Sequence, residues 1–264
     1  VLMVAITAVA FWFTWRARPT PLWLVSIFAV LFVIGFLTWA AAGALIPIPG
    51  LLVGAVGLSV PLIFGALGGV ISERVGVVNV AIEGQLLAGA FVSAVVASVI
   101  KDAFFGPLLG LLAAVVAGVL VAFVLAAFSI KYFVDQVIVG VVLNVLVVGL
   151  TSFLFSKVLA PNAALLNSPP RFPRLPIPLL SEIPILGPVL FRQTIIVYIM
   201  YVAVAVVWFA LFKTRWGLRL RSVGEHPQAA DTVGINVNST RFWNVSLAGA
   251  IAAGSGAPAL RGGA

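Results

Sequence analysis

The sequence predicts an all-α, polytopic transmembrane bundle of about eight spans, and three observations carry that prediction. Hydrophobic residues make up 63% of the chain and charged residues only 8%, where soluble domains carry about 25% charged residues. The mean hydropathy is +1.25. Finally, the apolar residues gather into separate stretches of about 20 residues, the length that crosses a bilayer as a helix.

The stretches follow in order. Val1 to Trp15 reads as the remnant of a span, having no basic front or cleavage site of the kind that marks a signal peptide. Leu22 to Ile46, Leu51 to Ile71, Val77 to Ile100, Gly106 to Ile130, Gln136 to Ser156, Gln193 to Phe212 and Phe242 to Leu260 supply seven more. The first stretch starts inside an apolar run and the last stops soon after its helix begins, so both ends are expected to be truncated. The chain reads as a single membrane domain over residues 1–264.

Charge orients these spans. With Arg16 and Arg18 in the cytoplasm, Arg74, Lys131 and the five basic residues of Lys213 to Arg241 fall on the same side, as an excess of Lys and Arg in cytoplasmic connections requires. Lys101, Lys157, Arg171, Arg174, Arg192 and Arg261 fall on the other side, three of them in or beside one long loop where the rule weakens. The net charge of +8 is therefore what orientation produces, and no basic soluble domain exists to bind nucleic acid. The absence of cysteine excludes disulfides and thiolate metal sites.

Two connections stand out. Residues 157–192 hold eight of the sixteen prolines, a density no ordinary helix survives. An irregular extracytoplasmic loop follows, either a docking surface or a tether, with extended pieces and one short helix. The other is Lys213 to Arg241, residues 213–241, the longest polar run in the chain and the place of its one histidine. Within it, His226, Pro227, Gln228, Ala229, Ala230 and Asp231 read as a short cytoplasmic helix: Pro227 suits the first helical position and Gly234 ends the turn.

Small residues recur at contact spacing in Gly50 and Gly54, Gly65 and Gly69, and Gly106 and Gly110, which lets helix backbones approach in lipid. Polar residues sit where they are expensive. Asn79, Glu83 and Gln85 fall in the first turns of the span that begins at Val77, with Asn79 and Glu83 on one face. An intramembrane carboxylate costs about 2.5–3.5 kcal/mol on insertion scales, so Glu83 needs interfacial water, a partner such as Arg74, or a place along a substrate path. On the span that begins at Asp135, Gln136, Gly140, Asn144 and Thr151 share a flank. Asn144 there is either an interhelical bond worth about 0.6 kcal/mol or a hydrogen-bonding group facing a polar solute. No phosphate loop, HExxH or GxSxG is present, and one histidine builds no multi-histidine metal site. No catalytic residue, metal or cofactor is expected, and any ATP is bound by another polypeptide.

Three ordered motifs give a resemblance: ISERVGVVNVAIEGQLLAGAF from Ile71 to Phe91, DQVIVGVVLN from Asp135 to Asn144, and GLRLRSVGEHPQAADTVGIN from Gly217 to Asn236, followed by SLAGAIAAG. Together they resemble the permease subunit of ABC importers of the ribose, branched-chain amino acid and nucleoside type, nearest the nucleoside or simple-sugar branch. The resemblance implies a multi-pass protein of a prokaryotic plasma membrane that imports a small polar solute. It also implies ABC ATPase subunits, a second permease subunit and an extracytoplasmic substrate-binding protein as partners. Glu225 to Asp231, with Gly234, then form the coupling helix, and Asn79, Glu83, Gln85 and Asn144 are candidates for the substrate path or its scaffold. Two other readings stand beside it: an ion-coupled secondary transporter using Glu83, and a membrane-embedded enzyme.

Overall fold

In the computed structural model, which describes residues 2–16, 21–40, 48–102, 105–170, 172–184 and 186–255, the apolar stretches close into helices. A chain in hydrocarbon has no water for its N–H and C=O groups and satisfies them along its own helical ladder. The chain divides into two compact units, residues 1–48 and 49–264. The first holds α1 (Leu2–Trp15) and α2 (Leu22–Ala40), which pack together.

The second unit begins with α3 (Ile48–Arg74), α4 (Ile82–Ile100) and α5 (Phe105–Ala126), the last prolonged by a π-helical turn, Ala127–Lys131. Next comes α6 (Gln136–Leu154), prolonged by a second π turn, Phe155–Leu159. Asp135 starts α6 by accepting the N–H groups of Val137 and Ile138 at 2.8 and 3.3 Å, two donors a helix start otherwise leaves orphaned. Then follow α7 (Ala163–Leu166), α8 (Leu186–Leu190), α9 (Ile195–Lys213), α10 (Arg215–Glu225), α11 (Pro227–Thr232) and α12 (Val237–Gly254).

Six of the described helices are long and apolar enough to cross a membrane: α2, α3, α4, α5 with its π turn, α6 with its π turn, and α9. The other two expected spans are α1, of 14 residues, and α12, of 18. The expected second and eighth spans extend into residues 41–46 and 256–260, which lie outside the described residues.

The middle of the second unit is built on small residues. α12 presents Ala248, Gly249, Ala252 and Ala253, all buried, to three neighbours. A Cβ on Gly68 of α3 would lie 2.6 Å from the Ala248 carbonyl oxygen, and one on Gly89 of α4 would lie 2.6 Å from that of Ala253. On α5, Gly118 meets the backbone of Gly249 directly. With little hydrophobic gain available between helices in lipid, such close backbone approach is what gives dispersion contacts their reach. Among the expected pairs, Gly65 and Gly69 seat Ile82 between them, and Gly106 and Gly110 lie against α4. A Cβ on Gly54 would meet nothing within 4 Å among the described residues, so the contact expected through Gly50 and Gly54 is not made at Gly54.

The proline-rich connection is more ordered than its composition predicts. Its middle pairs with its C-terminal end as an antiparallel two-stranded ribbon, β1 (Arg174–Pro176) with β2 (Arg192–Thr194). Tyr198 of α9 ties the ribbon down, donating its hydroxyl to the Leu175 carbonyl at 2.8 Å and accepting from the Gln193 N–H at 3.3 Å. Ser168 N–H donates to Ser98 Oγ at 3.0 Å, which binds the connection to the end of α4. Proline survives here because a two-stranded ribbon is all edge and demands few ladder donors.

Candidate functional site

Between α9 and α12 the polar run 213–241 holds two helices, α10 and α11, where one was expected. α9 ends at Lys213, and Thr214 caps α10 by accepting the Gly217 N–H at 3.2 Å. α10 was missed because its polarity hid its period: Gly217, Leu220 and Val223 recur every three residues and are buried, while Arg215 and Arg219 stay exposed. Gly217 lets the turn fold back onto the carbonyls of Ala210 and Leu211, and Gly224 rests against the Arg74 carbonyl at the end of α3.

His226 is the N-cap of α11, and Pro227 takes the first helical position as expected. Glu225 is therefore the last residue of α10, the helix expected at His226 to Asp231 corresponds to α11 with its cap, and the coupling segment implied by the resemblance takes its first residue from the end of α10. Ala230 is its one buried residue, leaving Glu225, His226, Gln228, Ala229 and Asp231 exposed. Gly234, at φ +85°, closes the helix: its N–H donates to Asp231 O at 2.9 Å and that of Ile235 to Ala230 O at 3.0 Å. An open cleft of about 620 Å³ lies beside it, lined by Pro227, Gln228, Asp231 and Asn236 among others.

This platform is not an appendage. Leu220, Val223 and Ala230 belong to one apolar cluster with Ile71, Leu125, Leu211 and Val245 from the long helices. Arg241 of α12 donates from Nε to the Val75 carbonyl at 3.2 Å, beside Gly76, whose φ of +84° turns the chain out of α3. The Arg74 and Arg221 guanidinium carbons lie 6.0 and 5.4 Å from the Phe212 ring centroid, near enough for cation–π attraction.

The second group of expected residues sits where α3 gives way to α4. That span was expected from Val77, with Asn79 and Glu83 on one helical face; in fact α4 begins at Ile82 and Asn79 lies in the irregular stretch before it. The two share no helical face. An irregular backbone here needs external partners, and the polar side chains supply them. Asn79 Nδ2 donates to Gln85 Oε1 at 3.0 Å, and Asn79 Oδ1 accepts from the Ala81 N–H at 3.1 Å. Across from it, Asn144 Oδ1 accepts the Gly84 N–H at 2.7 Å and Asn144 Nδ2 donates to the Val80 carbonyl at 2.9 Å. Gln136 Oε1 takes the Val78 N–H at 3.1 Å. Gln136, Gly140 and Asn144 thus form the shared flank, and the absence of a side chain at Gly140 admits Val80 and Ala81. Gln136 was not among the expected site residues, although its spacing of eight from Asn144 was visible. Glu83 points away, exposed and with no hydrogen-bond or ionic partner among the described residues. Among the described residues, no three His, Cys, Asp or Glu side chains converge to hold a metal.

Long apolar helices packed through small residues, with a polar two-helix platform built into one end, define a polytopic membrane protein. The chain belongs to the family described as branched-chain amino acid transport system / permease component, which matches residues 51–260. It is a multi-pass plasma-membrane protein. It is 45% identical over 197 residues to the guanosine ABC transporter permease protein NupQ of Bacillus subtilis, covering 72% of this chain and 60% of that one. Against the nucleoside ABC transporter permease protein NupC of Lactococcus lactis it is 41% identical over 203 residues, covering 75% and 63%. The putative glucose ABC transporter permease protein TsgC13 of Haloferax volcanii is 36% identical over 212 residues, covering 79% and 61%. The chain thus spans a little over 60% of the length of these relatives at most. No solved structure matches it.

Proposed function

We propose that this chain is the permease subunit of an ATP-driven importer that moves a nucleoside or a simple sugar into the cell. ATP is hydrolysed on separate ABC ATPase subunits, a second permease subunit completes the path, and an extracytoplasmic binding protein delivers the solute. The nucleoside branch is favoured by the names of the NupQ and NupC relatives, and a sugar by that of TsgC13.

The observation that carries this reading is the shared core of the platform and the long helices. A helix exposed on one side and bound into the same apolar cluster as Ile71, Leu211 and Val245 on the other moves the spans when it is pushed, because packed cores shift as units. Glu225 to Asp231, with Gly234 closing the helix, are assigned to the cytoplasmic contact with the ATPase. Asn79, Gln85 and Asn144 act as scaffold: their polar atoms are taken up by the backbone at 80–84 and by each other. Glu83 is the member of that group left free to face a solute path. The reading needs no chemistry by this chain, so it acts as a transport subunit and not as an enzyme.

The test is Asp231→Lys in the assembled transporter. Insertion and ATP hydrolysis should persist while solute uptake falls severalfold, and a bifunctional cross-linker should join residue 228 to an ATPase subunit. Uptake at the wild-type rate, or a reporter showing residues 225–231 outside the cell, overturns the assignment.

A further inference from the structure

The end of α5 departs from regular α-helical geometry. Its last turn, Ala127–Lys131, is π-helical, a conformation that concentrates at functional sites. The chain leaves that turn with Phe133 at φ +55°, a left-handed setting that is an outlier for a bulky residue. Tyr132 N–H donates to Ala127 O at 3.3 Å and Val134 N–H to Phe128 O at 3.1 Å, holding the turn. As a result Phe133 projects outward, 82% exposed. Strain of this kind persists where surrounding structure enforces it and clusters at ligand sites.

Beside the turn, between the end of α5 and the start of α12, runs a groove of about 640 Å³. Phe123 and Phe242, edge to face with centroids 4.9 Å apart, and Ile130 give it apolar walls; Lys131, Asn238 and Ser239 form a polar rim. Lys131 is exposed, has no acidic partner among the described residues, and keeps its ammonium 5.8 Å from the Tyr132 ring. This arrangement falls where a spanning helix ends, at the depth where aromatic and basic side chains meet headgroups.

An apolar trench with a cation and hydroxyl at its mouth fits an amphiphile carrying negative charge. We propose that the groove binds an anionic phospholipid from the leaflet on the α10–α11 side. Its acyl chain lies along Phe123 and Phe242, and its headgroup accepts hydrogen bonds from Lys131 and Ser239. Asn238 lines both this groove and the cleft beside α11, so the lipid rests against the same helix start that supports the platform.

Native mass spectrometry of the full-length protein, titrated in detergent with phosphatidylglycerol or phosphatidylethanolamine of the same chains, tests this. Phosphatidylglycerol should be retained preferentially. Lys131→Gln should weaken its retention about fivefold, the contribution of one basic residue near an anionic surface, and Lys131→Arg should restore it. Ala127→Phe, which fills the trench, should weaken retention of both lipids; free inorganic phosphate should not compete. Equal retention of the two lipids, or wild-type retention by Lys131→Gln, overturns the site. So does a photocrosslinker at position 133 that in the assembled transporter captures another polypeptide instead of lipid. Retention is read without transport, so a failure of the importer assignment leaves these outcomes distinct.

Discussion

Asn144, in the middle of α6, accepts the backbone N–H of Gly84 at 2.7 Å while its amide nitrogen reaches back to Val80. One side chain thereby satisfies both a donor and an acceptor of the segment where α3 turns into α4. Asn144→Leu would orphan both groups beside the buried backbone of Gly84. An unsatisfied buried polar group costs about 1–3 kcal/mol, well above the average interhelical side-chain bond in lipid, so the upper figure should win here. Thermal unfolding in detergent should fall by several degrees. An unchanged midpoint would mean that water reaches the segment.

Gly118 and Gly249 should behave differently from Gly54. The first two place the backbones of α5 and α12 in direct contact, whereas a Cβ on Gly54 meets nothing within 4 Å. Gly118→Val should abolish accumulation of folded protein, and Gly54→Ala should be neutral or stabilise by up to about 1 kcal/mol through helix propensity. Size-exclusion profiles of the two variants in detergent would separate these outcomes.

Arg241 ties α12 to the end of α3 through the Val75 carbonyl. Arg241→Lys keeps the charge and loses the Nε donor that makes the bond. In the assembled transporter it should hydrolyse ATP while importing solute more slowly, with a drop in unfolding temperature of a few degrees at most. Equal loss of hydrolysis and uptake would place Arg241 in folding and not in transmission.

Glu83→Gln should leave stability unchanged, because the carboxyl is exposed and unpartnered among the described residues. Any loss of uptake in this variant would therefore report on the solute path. Uptake that persists in Glu83→Gln but collapses with the proton gradient would argue for ion coupling through another group.

The class of this protein was legible in the sequence because the bilayer acts as a strict solvent. Apolar runs of bilayer length have one economical conformation, and Pro227 and Gly234 mark α11 by backbone chemistry alone. The motifs around Asn79, Asn144 and Glu225 also identified the family. Three things waited on the tertiary structure. Asn79 and Gln85 bond to each other only because α4 starts at Ile82, and a residue's helical face cannot be read where the helix has not begun. α10 depends on a core that exists only when α3, α9 and α12 supply it. Which glycines touch is likewise a matter of which helices are neighbours: Gly118 finds Gly249 across more than a hundred residues of chain. Local physics sets what a segment forms, and long-range packing sets what its side chains are for.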